Sequence, residues 1–263
     1  MAADPGTIEL DGVRLARMTR SDVVAHVFAA LAAGRGGWIV TVNVDHMQRF
    51  RADPSTRALA RAADLVVADG MPLLWAARLQ GTPLPERVAG SDLIWLLAER
   101  ANDEGRSLYL MGGEPGAAEG AAAQLLARWP KLRIAGMSSP QVSAHPLPHE
   151  VARIAEELDR VRPDLVYVAL GAPKQERLIE ALRPDRGSIW WMGVGISLSF
   201  AAGQIERAPA WMQRSGLEWL HRTLQEPGRL ARRYFRDDLP YLLGLLWRIQ
   251  RARRTAGKSC VQS

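Results

Sequence analysis

Three observations predict an α/β fold with a mainly parallel sheet, helices on both faces, and a helical appendage at the C-terminal end. Short β-rich runs alternate with helical stretches, the pattern of βαβ units. Most of those runs are continuously apolar, as expected of strands covered on both sides. After about residue 205 the strand pattern stops and the chain turns helical and basic. In chain order the predicted strands are Trp38 to Val44, Leu65 to Ala68, Ser107 to Met111, Arg133 to Met137, Leu165 to Leu170 and Ile189 to Val194. Helices are expected over 54–63, 71–80, 91–104, 115–128, 148–161 and 173–183. Ser91 and Asp92 resemble a helix start, and Pro115 and Pro173 fit a first helical turn. The end of the chain reads as two helices, 209–225 and 228–254, parted near Pro227 and Gly228.

With 263 residues, 48% of them hydrophobic and 24% charged, the chain suits one core of about 200 residues plus an appendage. Its net charge of +6 is uneven. Residues 205–263 hold 12 of the 34 Lys and Arg and 5 of the 28 Asp and Glu, a net +7 against −1 for the rest. Such a basic end meets a polyanion (nucleic acid, anionic lipid or a diphosphate) or is simply a solvated face. Within it, Tyr234, Phe235, Leu239, Tyr241, Leu242, Leu243, Leu245, Leu246 and Trp247 are interleaved with Arg232, Arg233, Arg236, Arg248, Arg251, Arg253 and Arg254, which suits a segment lying on a membrane surface or one packed on the core. The run Leu239 to Trp247 is too short to span a bilayer, which takes ~20 residues. The N-terminus shows no secretory pattern, so a cytoplasmic protein is expected. Cys260 is the one cysteine, which excludes a disulfide framework and a cysteine zinc site.

In open α/β sheets ligands bind beyond the carboxyl ends of the strands. Polar or glycine-rich residues follow four predicted strands: Thr41, Asn43, Asp45 and His46; Asp69 and Gly70; Gly112 and Gly113; Gly171 to Glu176. Glycines at Gly112 and Gly113, ahead of a helix, let backbone amides approach a phosphate or else form a tight turn. Lys174 and Gln175 offer a cation and an amide in a first helical turn. Asp69 fits a general base, but as a lone residue it fits a cap for the helix from Met71 better. No HxH or HExxH spacing accompanies His46, so no metal site is expected. A nucleotide-dependent oxidoreductase or epimerase would need a GxGxxG fingerprint, which is missing. A nucleic-acid-binding module would rest on the basic tail alone.

Eight segments, TVNVDH, VVADGMP, PERVAGSDL, YLMGGEPG, ALGAPKQE, GVG, AGQIERAPAW and GLEWLHRTLQEPGRLARRY, occur in an order and spacing that resemble the WecG/TagA/CpsF glycosyltransferases. The resemblance runs from about Thr41 to Tyr234. It implies a Rossmann-like catalytic core over 1–204 and an appendage over 205–263 that reaches the membrane and closes the active site. It further implies metal-independent, inverting transfer from a UDP-sugar to a sugar on a polyprenyl diphosphate at the inner membrane face. No cofactor and no nucleic acid are implied. Asp69 then corresponds to the general base, displacing the cap reading. Thr41, Asn43, Arg87 and Gln175 correspond to sugar and nucleotide contacts, and Arg222, Arg229 and Arg232 to arginines that meet the diphosphate. Ser199 stands where relatives commonly have aspartate, which bears on the donor sugar. A UDP-glucose or UDP-N-acetylmannosamine type of donor fits. An arginine-to-lysine ratio of 31 to 3 leans toward exopolysaccharide assembly, and the sequence leaves homo-oligomerisation open.

Overall fold

The computed structural model describes residues 6–259, with the backbone alone for Arg229 and for residues 256–259. Cys260 lies outside the described residues. The chain opens with an antiparallel hairpin of β1 (Thr7–Leu10) and β2 (Val13–Ala16). Its turn, Asp11 and Gly12, has both residues at positive φ, the arrangement a two-residue Asp-Gly turn supplies. Next come α1 (Arg20–Ala32), β3 (Gly37–Val42), α2 (Val44–Ala52), α3 (Pro54–Ala62), β4 (Leu65–Ala68) and α4 (Met71–Gln80). The core continues through α5 (Gly90–Glu104), β5 (Ser107–Gly112), α6 (Ala117–Arg128), β6 (Arg133–Ser138) and α7 (Pro148–Val161). It closes with β7 (Leu165–Ala169), α8 (Lys174–Leu182), β8 (Trp190–Gly193) and the short α9 (Ser197–Ala201).

The strands from β3 to β8 form one parallel six-stranded sheet in the order β4-β3-β8-β7-β5-β6. All six runs expected from sequence are present. The last strand enters the middle, so the carboxyl ends of β4, β3, β8, β7 and β5 stand side by side. Both faces are apolar, with side chains alternating between them. Along β5, Leu108 and Leu110 pack with α1, α5, α6 and α9, while Tyr109 and Met111 pack on the opposite side with α7 and α8.

Three expected features differ. The first predicted strand ends at Val42, because Asn43 accepts from the His46 backbone N–H and caps α2, an element not expected from sequence. Helix α6 begins at Ala117 with Gly116 in the cap position, so Pro115 lies outside its first turn, and Pro173 holds the cap position of α8. The end of the chain is not two helices. It is α10 (Ala210–Arg214), α11 (Glu218–Gln225), α12 (Pro227–Arg233), a π-helical turn over Tyr234–Asp238, and α13 (Leu239–Ser259). Gly216, at φ +74, parts α10 from α11.

Two faces of α13 settle how it packs. Tyr241, Leu245 and Ile249, each four residues on, are buried in the same cluster as Leu10, Trp38 and Leu73, and α13 lies against α4. Tyr241 also donates to Asp11 of the hairpin turn at 2.9 Å, and Arg248 pairs with the same carboxylate at 3.0 Å. On the other face Phe235, Leu239, Leu243 and Trp247 are exposed, again at four-residue spacing. Among the described residues no helix is long and apolar enough to cross a membrane.

Candidate active site at the carboxyl edge of the sheet

A cleft of about 1400 Å³ opens over the carboxyl ends of the strands. Ligand sites commonly take ~300–1,000 Å³, so this cleft is larger than most. Its floor carries Thr41 and Asn43 at the end of β3, Asp69 after β4, Gly112 and Gly113 at the end of β5, Gly171, Lys174 and Gln175 after β7, and Gly193 to Gly195 at the end of β8. The appendage forms a wall through Glu218, Trp219, Arg222, Arg233, Tyr234 and Asp238. The four stretches singled out in the sequence therefore meet in one place.

Asp69 does not cap the helix it precedes. Gly70, at φ +143, is the cap residue of α4 and no side chain bonds the first turn. The Asp69 carboxylate turns the other way and accepts from the Gly90 N–H at 3.4 Å, a long contact that leaves most of its capacity free. Burial pushes it up to about 6. Arg87 opposes that rise, while Glu218 and Asp92 add to it. A half-buried carboxylate held by one long hydrogen bond, with its pKa pushed up to about 6, is suited to accept a proton.

Arg87 is engaged by the protein. It donates to Glu218 at 2.7 Å and to Gln213 at 3.3 Å, and lies 3.5 Å from Asp92. Arg207 completes an alternating quartet, 2.6 Å from Asp92 and 3.5 Å from Glu218. Arginines and carboxylates thus tie α11 to the core beside Asp69.

The glycines serve geometry more than donation. A Cβ on Gly112 would come 2.7 Å from the Ala169 carbonyl oxygen, and the Gly113 N–H already donates to that oxygen at 2.7 Å. The expectation that amides near Gly112 cradle a phosphate is therefore not met by Gly113. At Gly171 a Cβ would meet open space, so its φ of +74, rather than crowding, favours glycine. Gln175 is buried, accepting from the Gly195 N–H at 3.1 Å and donating to Glu176 at 2.8 Å. Lys174 lines the cleft and makes no hydrogen bond or ion pair among the described residues.

From the appendage, Arg222 lines the cleft and lies over the Phe200 ring at 5.8 Å, with no acidic partner among the described residues. Arg232 is exposed and is not part of the cleft wall. Its neighbour Arg233 is, facing Asp45 at 4.0 Å and Asp238 at 3.7 Å and lying over Tyr234 at 4.7 Å. The side chain of Arg229 lies outside the described residues. Sequence reading missed Arg233, Glu218 and Asp238. Glu218 and Arg233 fall inside a segment already noticed, but only the packing of α11 and the π-helical turn selects which face of it looks inward.

A parallel sheet with one large cleft over its carboxyl edge, and a buried carboxylate in that cleft, defines an α/β protein whose candidate site lies at the strand ends. The chain belongs to the glycosyl transferase WecG/TagA/CpsF family, whose model matches residues 8–255. It is also 30% identical over 197 residues, 75% of each chain, to the N-acetylglucosaminyldiphosphoundecaprenol N-acetyl-beta-D-mannosaminyltransferase of Bacillus subtilis (strain 168). Three quarters of that relative's length is spanned. The chain is thus a glycosyltransferase with a Rossmann-like sheet.

Proposed function

We propose that this protein transfers a hexose or N-acetylhexosamine from a UDP-sugar to a sugar carried on a polyprenyl diphosphate, with inversion and without a metal. The observation that carries the reading is Asp69, a carboxylate pushed up to about 6 at the cleft floor that does not cap the helix it precedes. Asp69 accepts the proton of an acceptor hydroxyl as its oxygen attacks the anomeric carbon. The bond to the UDP oxygen breaks on the opposite face, so one displacement inverts the centre. Negative charge then gathers on the departing diphosphate. Lys174 and Arg222, both without acidic partners among the described residues, are placed to receive it, and losing one such donor costs ~100-fold or more in rate. Thr41, Asn43, Arg87 and Gln175 hold the donor, with Arg87 also tethering the wall.

The relative named above acts on an N-acetylglucosaminyl diphosphoundecaprenol with an N-acetylmannosaminyl group, so a UDP-N-acetylmannosamine donor is the first to try and UDP-glucose the second. The lipid acceptor fits a protein resting on the inner membrane face through the exposed Phe235, Leu239, Leu243 and Trp247 stripe, with Arg236 and Arg251 beside it. A panel of UDP-sugars tested with lipid-linked acceptors identifies the donor. Turnover with none of them, alongside no binding of UDP, sinks the reading.

A further inference from the structure

Asn43 and His46 stand three residues apart at the start of α2, and their side chains fix each other. The Asn43 Oδ1 atom accepts the His46 backbone N–H at 3.1 Å and lies 2.9 Å from the ring Nδ1. A backbone amide only donates, so the oxygen end of Asn43 is turned toward the helix and its amino end, with two N–H donors, is left for the cleft. The ring Nδ1 also lies 3.5 Å from the Asn43 backbone N–H, and a proton on Nδ1 makes the shorter 2.9 Å contact a hydrogen bond to Oδ1. Across the ring, Nε2 lies 3.9 Å from Oε1 of Glu176, an ion-pair separation. Glu176 is only 4% exposed and its Oε2 atom has no hydrogen-bond partner. A carboxylate buried in that way is costly unless a cation faces it. His46 supplies the cation. Oε1 of Glu176 also accepts from Gln175, whose own oxygen takes the Gly195 N–H, so the amide of Gln175 is locked with one N–H to spare.

We propose that the buried His46–Glu176 pair is a positioning device that holds the amides of Asn43 and Gln175 as donors toward the oxygens of the nucleotide-sugar. The inference rests on the nucleotide-sugar reading of the cleft. Burial works against a charged His46 ring, but the Glu176 carboxylate from α8, with Asp45 on the same helix and Asp69 from the end of β4, outweighs it and holds the ring above its ordinary 6.5. Arg49 and Arg233 neutralise Asp45 at 3.1 and 4.0 Å, which leaves Glu176 as the main partner. The ring's share of the positioning is complete while it is doubly protonated and is lost as pH rises through its raised pKa, the His46 backbone N–H keeping its own hold on Asn43.

The test uses the full-length protein as wild type, His46→Gln and Glu176→Gln. Nitrogen and proton shifts of the imidazole are followed against pH, and UDP affinity is measured by calorimetry from pH 6 to 9. The wild-type ring should titrate above 6.5 and drop in Glu176→Gln, with UDP affinity declining across the same wild-type pKa. His46→Gln should bind UDP about tenfold more weakly, with no such inflection and an unchanged fold by circular dichroism. A wild-type ring at or below 6.5 overturns the pair, and needs no variant to show it. Wild-type affinity and pH profile in His46→Gln overturn the positioning role. A wild type that binds no UDP at any pH overturns the nucleotide-sugar reading instead, while the ring titration still judges the pair.

Discussion

Arg87 of the core donates to Glu218 of the appendage across 2.7 Å, with both side chains largely buried beside Asp69. The contact joins the cleft wall to the floor, and it places a negative charge close enough to Asp69 to raise its pKa. Activity that needs ionised Asp69 should climb as pH rises through about 6. In Glu218→Gln one charge that lifts Asp69 is gone, so the acid limb of kcat/KM should move to lower pH. A limb unmoved by this change would separate the observed titration from Asp69.

Keeping a carboxylate ionised at that position costs stability. Its folded pKa is raised from 3.8 to about 6, so its contribution is fully present below 3.8 and is lost as pH rises through 6. Asp69→Asn should therefore raise unfolding free energy at pH 8 by about 2–3 kcal/mol while losing transfer. Denaturant melts at pH 4 and pH 8 check this. An equal effect at both values would contradict the burial argument.

Asp238 gives a second pH dependence. Burial pushes it up to about 7, helped by Asp45 and Asp237 and opposed by Arg233 and Arg49. With the folded value above the unfolded 3.8, its share of stability is present below 3.8 and drains away as pH rises to about 7. The wild type should lose about 1–2 kcal/mol relative to Asp238→Asn between pH 5.5 and 7.5. Parallel stability curves for the two proteins would remove Asp238 from the account.

The two faces of α13 should respond differently to truncation. Leu245 is 1% exposed within the core cluster, and Leu245→Ala should cost about 2–5 kcal/mol. Leu243 and Trp247 are each 58% exposed, so Leu243→Ser with Trp247→Ser should leave the melting curve within about 0.5 kcal/mol and abolish sedimentation with anionic vesicles. Retained sedimentation in the double variant would refute the membrane-facing role of the stripe.

These contrasts show what the sequence could and could not carry. The six strands were legible because β3, β5 and β7 are buried on both faces and read as apolar runs. The Asp11–Gly12 turn was also written in the sequence, between alternating apolar residues, and was overlooked. The start of α2 was hidden because Asn43 caps it directly after an apolar strand, so the run looked longer than it is. The π-helical turn had no local signal; Leu230, Asp238 and Tyr241, within and on either side of it, are all buried. At the site, strand ends pointed to Thr41, Asn43, Asp69 and Gln175. Whether Asp69 capped a helix could be decided only by the Gly70 backbone and the direction of the carboxylate. Pairs distant in sequence need the tertiary fold: His46 meets Glu176 only once the sheet order sets β3, β8 and β7 side by side, and Arg87 meets Glu218 only once α11 packs on the core.

The most direct test of the central claim is sugar transfer from a UDP-sugar to a lipid-linked acceptor, measured side by side for wild type and Asp69→Asn. The account predicts turnover by wild type and a loss of about a thousandfold or more in Asp69→Asn, with UDP affinity unchanged. Undiminished turnover in Asp69→Asn would contradict it.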